Sequence, residues 1–178
     1  VYEDPHVPNS FGLLFNPQKP EPAPHHEKIR FNRNLGDYNP HTGEVDMFYP
    51  QSRWIDILQN DFAARMDWCV SDFKSANHAP VVQVEGELNR AVNAGSSILL
   101  KGMAKDLDGN KVSYHWWQYR EAGTSDKVVE IENPDLSSTQ ITIPEDAEKG
   151  STFHIILQVT DNGTPALTRF QRVILQIQ

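Results

Sequence analysis

The feature that most constrains this chain is a period of two in its last hundred residues. Phe153, Ile155, Leu157 and Val159 recur at every second position over seven residues. Successive side chains of a strand point to opposite faces, so this spacing gives one apolar face that must be buried against a second layer. The same alternation recurs in Val82/Val84, Ile98/Leu100/Gly102, Val112/Tyr114/Trp116 and Val173/Leu175/Ile177, with shorter candidates at Val128–Ile131 and Ile141/Ile143. Turn residues separate these runs at intervals of roughly ten residues: Asn93-Ala-Gly95, Asp108-Gly-Asn110, Pro144 and Asp161-Asn-Gly163. About seven strands with a tryptophan on the third predict an immunoglobulin-like β-sandwich over residues 78–178.

The preceding residues have a different character. Pro5, Pro8, Pro17, Pro20, Pro22, Pro24, Pro40 and Pro50 crowd the first fifty positions, and the Pro17–Pro24 stretch reads as extended and polyproline-like. Aromatics scattered among them suggest an irregular arm that packs on another body rather than a disordered one, since disordered segments are poor in aromatics. From about residue 52 to 70 the period changes. Trp54, Leu58, Phe62, Met66 and Cys69 recur every three or four residues, with Ser52 placed to cap, and predict one amphipathic helix. Its face is apolar enough to require burial against a partner, and Cys69 at its end is expected to be buried rather than nucleophilic. Lys74 to Pro80 reads as a linker.

Bulk properties exclude several functions. The 178 residues carry a net charge of −8, from 24 acids against 16 basic residues. A basic stripe for nucleic acid or for an anionic membrane is absent from the sequence. The single cysteine excludes an intrachain disulfide. No apolar run reaches the length of a membrane span. The chain begins at Val1, which we read as a mature form or an excised piece of a larger exported protein.

Four groups of residues could carry chemistry. On the third strand His115, Trp117 and Tyr119 should face outward together. Flat aromatic faces with a polar handle suit stacking on pyranose rings, and they equally suit packing on residues 1–77. Asp106, Asp108 and Asn110, with Asp161 in a second turn, place oxygens where a calcium ion could sit, although the same residue types serve any tight turn. His6, His25, His26 and His41 lack the spacing of a transition-metal site. Asp37, Glu44, Asp46 and Asp61 could pair for acid–base work, but nothing in the sequence fixes their separation. No Gly-x-Ser-x-Gly, Walker or dinucleotide-binding string occurs.

Four longer strings go beyond patterning. They are Gln59-Asn-Asp-Phe-Ala-Ala-Arg-Met-Asp-Trp-Cys-Val70, Tyr114-His-Trp-Trp-Gln-Tyr-Arg-Glu-Ala-Gly-Thr124, Phe153-His-Ile-Ile-Leu-Gln-Val-Thr-Asp-Asn-Gly-Thr-Pro165 and Leu167-Thr-Arg-Phe-Gln-Arg-Val173. Together, from about Arg53 to Gln178, they resemble the C-terminal part of a family of secreted bacterial proteins described as cellulose-binding. Its members join a nucleoside-hydrolase-like α/β domain to an immunoglobulin-like domain. The resemblance implies that residues 1–77 are the tail of the hydrolase-like domain and 78–178 the sandwich. It implies a secreted or periplasmic, non-catalytic, carbohydrate-associated accessory domain whose partners are polysaccharide and the upstream domain. Two alternatives stand beside it: a structural domain stabilising a nucleoside-hydrolase-like glycosidase, and a calcium-stabilised spacer.

Overall fold

The computed structural model describes residues 36–178. The proline-rich stretch, with His6, His25 and His26, lies outside them. The described chain opens with a small antiparallel hairpin, β1 (Asp37–Asn39) and β2 (Glu44–Asp46), in which Asp37 faces Asp46 across the ladder. A single helical turn, α1 (Tyr49–Ser52), leads into α2 (Ile55–Trp68). The helix expected from the three-to-four spacing is therefore present, but Ser52 ends α1 rather than capping α2, whose N-cap is Trp54 with no side-chain cap bond.

Eight strands follow and form two four-stranded sheets. They are β3 (Val81–Val84), β4 (Asn89–Val92), β5 (Ser97–Lys105), β6 (Val112–Gln118), β7 (Glu130–Glu132), β8 (Ser138–Thr142), β9 (Thr152–Asp161) and β10 (Thr168–Ile177). One sheet has the order β4-β10-β9-β6 and the other β3-β5-β8-β7. The immunoglobulin-like sandwich is thus as expected, with one more strand than the alternation showed. The extra strand is β4, whose sequence Asn-Arg-Ala-Val offers one large apolar residue, and it pairs parallel to β10. A strand of that composition carries no period of its own, and its place is set by the sheet it joins.

The core lies between the sheets. Leu100, Trp116, Ile141, Phe153, Ile155, Leu157, Val159, Val173 and Leu175 are all buried within it. Full burial of each large apolar side chain stabilises by about 1.5–3 kcal/mol. Trp116 is the largest, and its indole N–H donates to the Leu136 carbonyl at 2.9 Å, so burial leaves its polar edge satisfied. Gly102 makes room for it. A Cβ at that position would stand 2.5 Å from Leu157 Cδ2 and 3.2 Å from the Trp116 ring.

The outer faces of the two sheets differ. In β9 the alternation puts residues 154, 156, 158 and 160 outward, yet Ile156 is only 1% exposed. This face is covered, and among the described residues those seen packing on it come from the segment that precedes the sandwich.

Candidate functional site

The cover is built around Arg53. Its position between α1 and α2 aims the guanidinium at four rings, 4.7 Å from the Tyr49 centroid, 5.0 Å from Trp117 and 5.2 Å from both Trp54 and Tyr119. Guanidinium over an aromatic face is favourable, by about 2 kcal/mol or more when the pair is desolvated. Trp54 lies beside Trp117 with ring centroids 6.0 Å apart, and meets Tyr119 and Phe170 edge to face at 6.3 and 5.5 Å. Trp117 opposes Ile156 across the β6–β9 ladder, so its ring stands beside the isoleucine on this face.

Two carboxylates close the group. Arg53 Nη1 stands 3.5 Å from Asp37 of the hairpin and 3.6 Å from Glu121, in the 3-10 turn (Arg120–Ala122) after β6. All three side chains are largely shielded from solvent. Burial, and then repulsion from Glu121, push the Asp37 carboxyl up to about 6 against the pull of Arg53. Burial and the charge on Asp37 likewise raise the Tyr119 hydroxyl to about 12, so it remains protonated. The Trp54 indole N–H is buried without a hydrogen-bond partner among the described residues.

The outward row read from the sequence is therefore divided by the fold. Trp117 and Tyr119 face the same side of β6, as the alternation predicts, and there they meet Arg53 and Trp54. His115 is exposed further along the strand, where its ring Nδ1 lies 2.7 Å from Asp135. Of the two uses considered for this row, the contacts seen are those of packing on the preceding segment.

The helix is fastened at three places. Arg53 and Trp54 hold its start. Midway, Asp61 pairs with Arg65 at 2.7 Å and with Arg169 of β10 at 3.2 Å. At its end the Trp68 indole N–H donates to the Asn77 carbonyl at 2.8 Å. His78 lies between Trp68, nearly parallel at 6.0 Å, and Phe73 at 4.1 Å. Cys69 is a correction to the expected burial. It is exposed at the C-cap, because α2 buries only Ala64 completely and turns its far side to solvent.

The turns that carry Asp106, Asp108, Asn110 and Asp161 do meet at one end of the sandwich, joined by Asn77. The Asn77 amide donates to both Asp161 oxygens at 3.2 and 3.4 Å and to the Pro165 carbonyl at 2.8 Å, and its own oxygen accepts from Asn110 Nδ2 at 2.7 Å. Asp161 also accepts the backbone N–H groups of Gly163 and Leu167. Asp106 Oδ1 accepts the N–H groups of Asp108 and Asn110. Asp108 accepts the backbone N–H and ring Nδ1 of His78. Desolvation pulls the Asp108 carboxyl up, but the hydrogen bonds and charge of His78 together outweigh it and hold the carboxyl below its ordinary value.

Calcium takes about six to eight oxygens. Here amide and imidazole donors fill these oxygens, and Asp106 Oδ2 alone is buried without a hydrogen-bond partner. Among the described residues no three His, Cys, Asp or Glu side chains group closely enough to hold a metal ion. As placed, the four residues do not fit calcium, and their contacts are those of turn chemistry. Of the acid–base candidates, Asp37 and Asp46 oppose each other across the hairpin ladder, but each is engaged elsewhere. Asp46 accepts the Phe48 N–H and Glu44 and His41 are exposed on the hairpin, while Asp37 and Asp61 sit in ion pairs.

Residues 97–177 match the C-terminal domain of the cellulose-binding protein Sde0182. The match runs from the start of β5 to the end of β10, and the family resemblance carried by the quoted strings is borne out. A solved structure agrees over a longer stretch, including residues before the sandwich. It is a nucleoside hydrolase-related hypothetical protein from Saccharophagus degradans that is associated with carbohydrate metabolism. It is 32% identical, with a TM-score of 0.68 over 76% of this chain and 33% of that one. The chain thus spans about a third of that relative. More distant likenesses include cadherin domains of protocadherin gamma B2 (17% identity, TM-score 0.36, covering 56% of this chain and 24% of that one). They also include domain 1 of VCBP3 from Branchiostoma floridae (14% identity, TM-score 0.37, covering 56% of this chain and 96% of that one). No curated protein matches the chain.

Arg53, Trp54, Glu121, Ile156 and Asn77 escaped the sequence reading as site residues. Ile155-Ile156 did hold a signal, since two adjacent isoleucines in an alternating strand mean that both faces are buried. Asn77 held none, being one polar residue in a polar connection.

Proposed function

We propose that this chain is a non-catalytic, carbohydrate-associated accessory module of a longer exported protein. Residues 78–178 form the module, and residues 1–77 close a preceding nucleoside-hydrolase-like body. The Sde0182 match of residues 97–177 carries this reading. The distribution of exposed apolar surface supports the division. Phe48, Phe62, Met66, Val70 and Phe73 are exposed on the hairpin-to-linker segment, Phe62 at 63% and Phe73 at 71%. Large apolar side chains exposed on a helix and on the turns that flank it call for a partner surface. No helix among the described residues is long and apolar enough to cross a membrane.

The test is sedimentation of the full chain with insoluble cellulose. Retention that soluble cello-oligosaccharide competes away is expected, and a chain left wholly in the supernatant would reject the carbohydrate role. Trp117→Ala should lower the melting temperature without abolishing retention, because its ring is engaged by Arg53 and Trp54. That engagement also favours a second reading, in which the sandwich is a mount that stabilises a nucleoside-hydrolase-like glycosidase. On that reading, deleting residues 78–178 from an upstream-extended protein lowers the melting temperature of what remains.

A further inference from the structure

The group around Arg53 holds two carboxylates and one guanidinium among four aromatic rings. Asp37 and Glu121 both reach the same nitrogen, Nη1, at 3.5 and 3.6 Å. With both acids ionised the trio by itself carries a net charge of about −1 in a place largely closed to water. Among the described residues, Asp37 and Glu121 share Arg53 as a common partner. Asp46 faces Asp37 across the hairpin ladder, Tyr119 is neutral at the end of β6, and Arg120 lies over the Tyr38 ring, 5.4 Å from its centroid. Arg172 of β10, a cation, draws the Tyr119 hydroxyl the other way, toward ionisation. The three charged residues come from three separate pieces of chain: the hairpin, the α1–α2 junction and the turn after β6. Any change in their charge balance therefore acts on how the first two pieces sit on the third.

We propose that this group is a proton-operated clasp, in which a proton taken up at Asp37 seats the hairpin and helix more firmly on the sandwich. Protonation removes the repulsion between Asp37 and Glu121 and leaves Arg53 paired one-to-one with Glu121. The direction of the effect follows from proton counting. Released into water, the Asp37 carboxyl titrates near 3.8; seated, it titrates at about 6. Between those values the seated form holds more proton than the released form, so seating strengthens as pH falls through that window and is unaffected above it. Trp54 reports on the process, because its ring touches Trp117, Tyr119 and Phe170 and belongs to the piece that moves.

The experiment is a pH titration of the full chain by NMR, following the carbon-13 shift of the Asp37 carboxyl and the indole N–H signals of Trp54 and Trp117. The expected result is one shared midpoint near 6 for all three. Glu121→Gln should move that midpoint to lower pH, and Asp37→Asn should remove the indole titration and hold both signals at their low-pH positions. An Asp37 midpoint near 4 would overturn the proposal. Indole signals that do not follow the carboxyl, or a midpoint indifferent to Glu121→Gln, would do the same.

Discussion

The sandwich and the segment that leads into it are stabilised in different ways. In the sandwich, side chains from two sheets interdigitate, and residues such as Trp116, Phe153, Ile155 and Leu157 lose all contact with water. In α2 only Ala64 is fully buried, and the helix is held by rings and ion pairs at its start, middle and end. A closed core is cooperative: removing one piece costs the whole. A helix fixed at separate points loses one fastening at a time and can loosen while the sandwich stays folded.

The comparison can be broken by substitution. The largest effect is expected at Trp116→Ala, which empties the centre of the core and strands the Leu136 carbonyl. A loss of about 3–5 kcal/mol in denaturant unfolding is expected, and a loss below 1 kcal/mol would mean the core is not where the described burial puts it. Asn77→Ala should cost about 2 kcal/mol, because it leaves buried Asp161 short of donors at the end of the sandwich. Urea titration watched by tryptophan emission would measure it, and an unchanged midpoint would show that water replaces the amide at no cost. The smallest effect is expected from Phe62→Ser with Met66→Ser, within about 0.5 kcal/mol, since both side chains already face solvent. A loss well above 1 kcal/mol would show that the stripe is covered within this chain.

How much of this was legible in the sequence follows from which forces act locally. Strands β5, β6, β9 and β10 announce themselves, because burial of one face imposes a period of two whatever the partner sheet is. The helix announces itself by its three-to-four spacing, but its direction of burial does not. An apolar stripe states that something must cover it, and not whether that cover lies in the same chain. Phe62 and Met66 were expected to be buried against a partner, and among the described residues they are exposed. The aromatic row on β6 was legible as a surface with a use. The contacts that Trp117 and Tyr119 make come from Arg53, sixty-odd positions upstream, and no periodicity ties those positions together. Asp106, Asp108, Asn110 and Asp161 were legible as turns at one end. Their occupation by Asn77 and His78 was hidden, because a single amide in a connecting segment looks like any solvated residue.

The way Asn77 and His78 are held has a mechanical consequence. Many accessory modules swing on supple tethers and search a surface independently of what they serve. Here the connection is clamped to the Asp161 and Asp108 turns, and Gly163 gives no slack, since even a Cβ there would come within 2.2 Å of the Asn77 side chain. The end of α2 and the Asp161 and Asp108 turns of the sandwich are thus tied through Asn77 and His78 by direct hydrogen bonds rather than by slack chain.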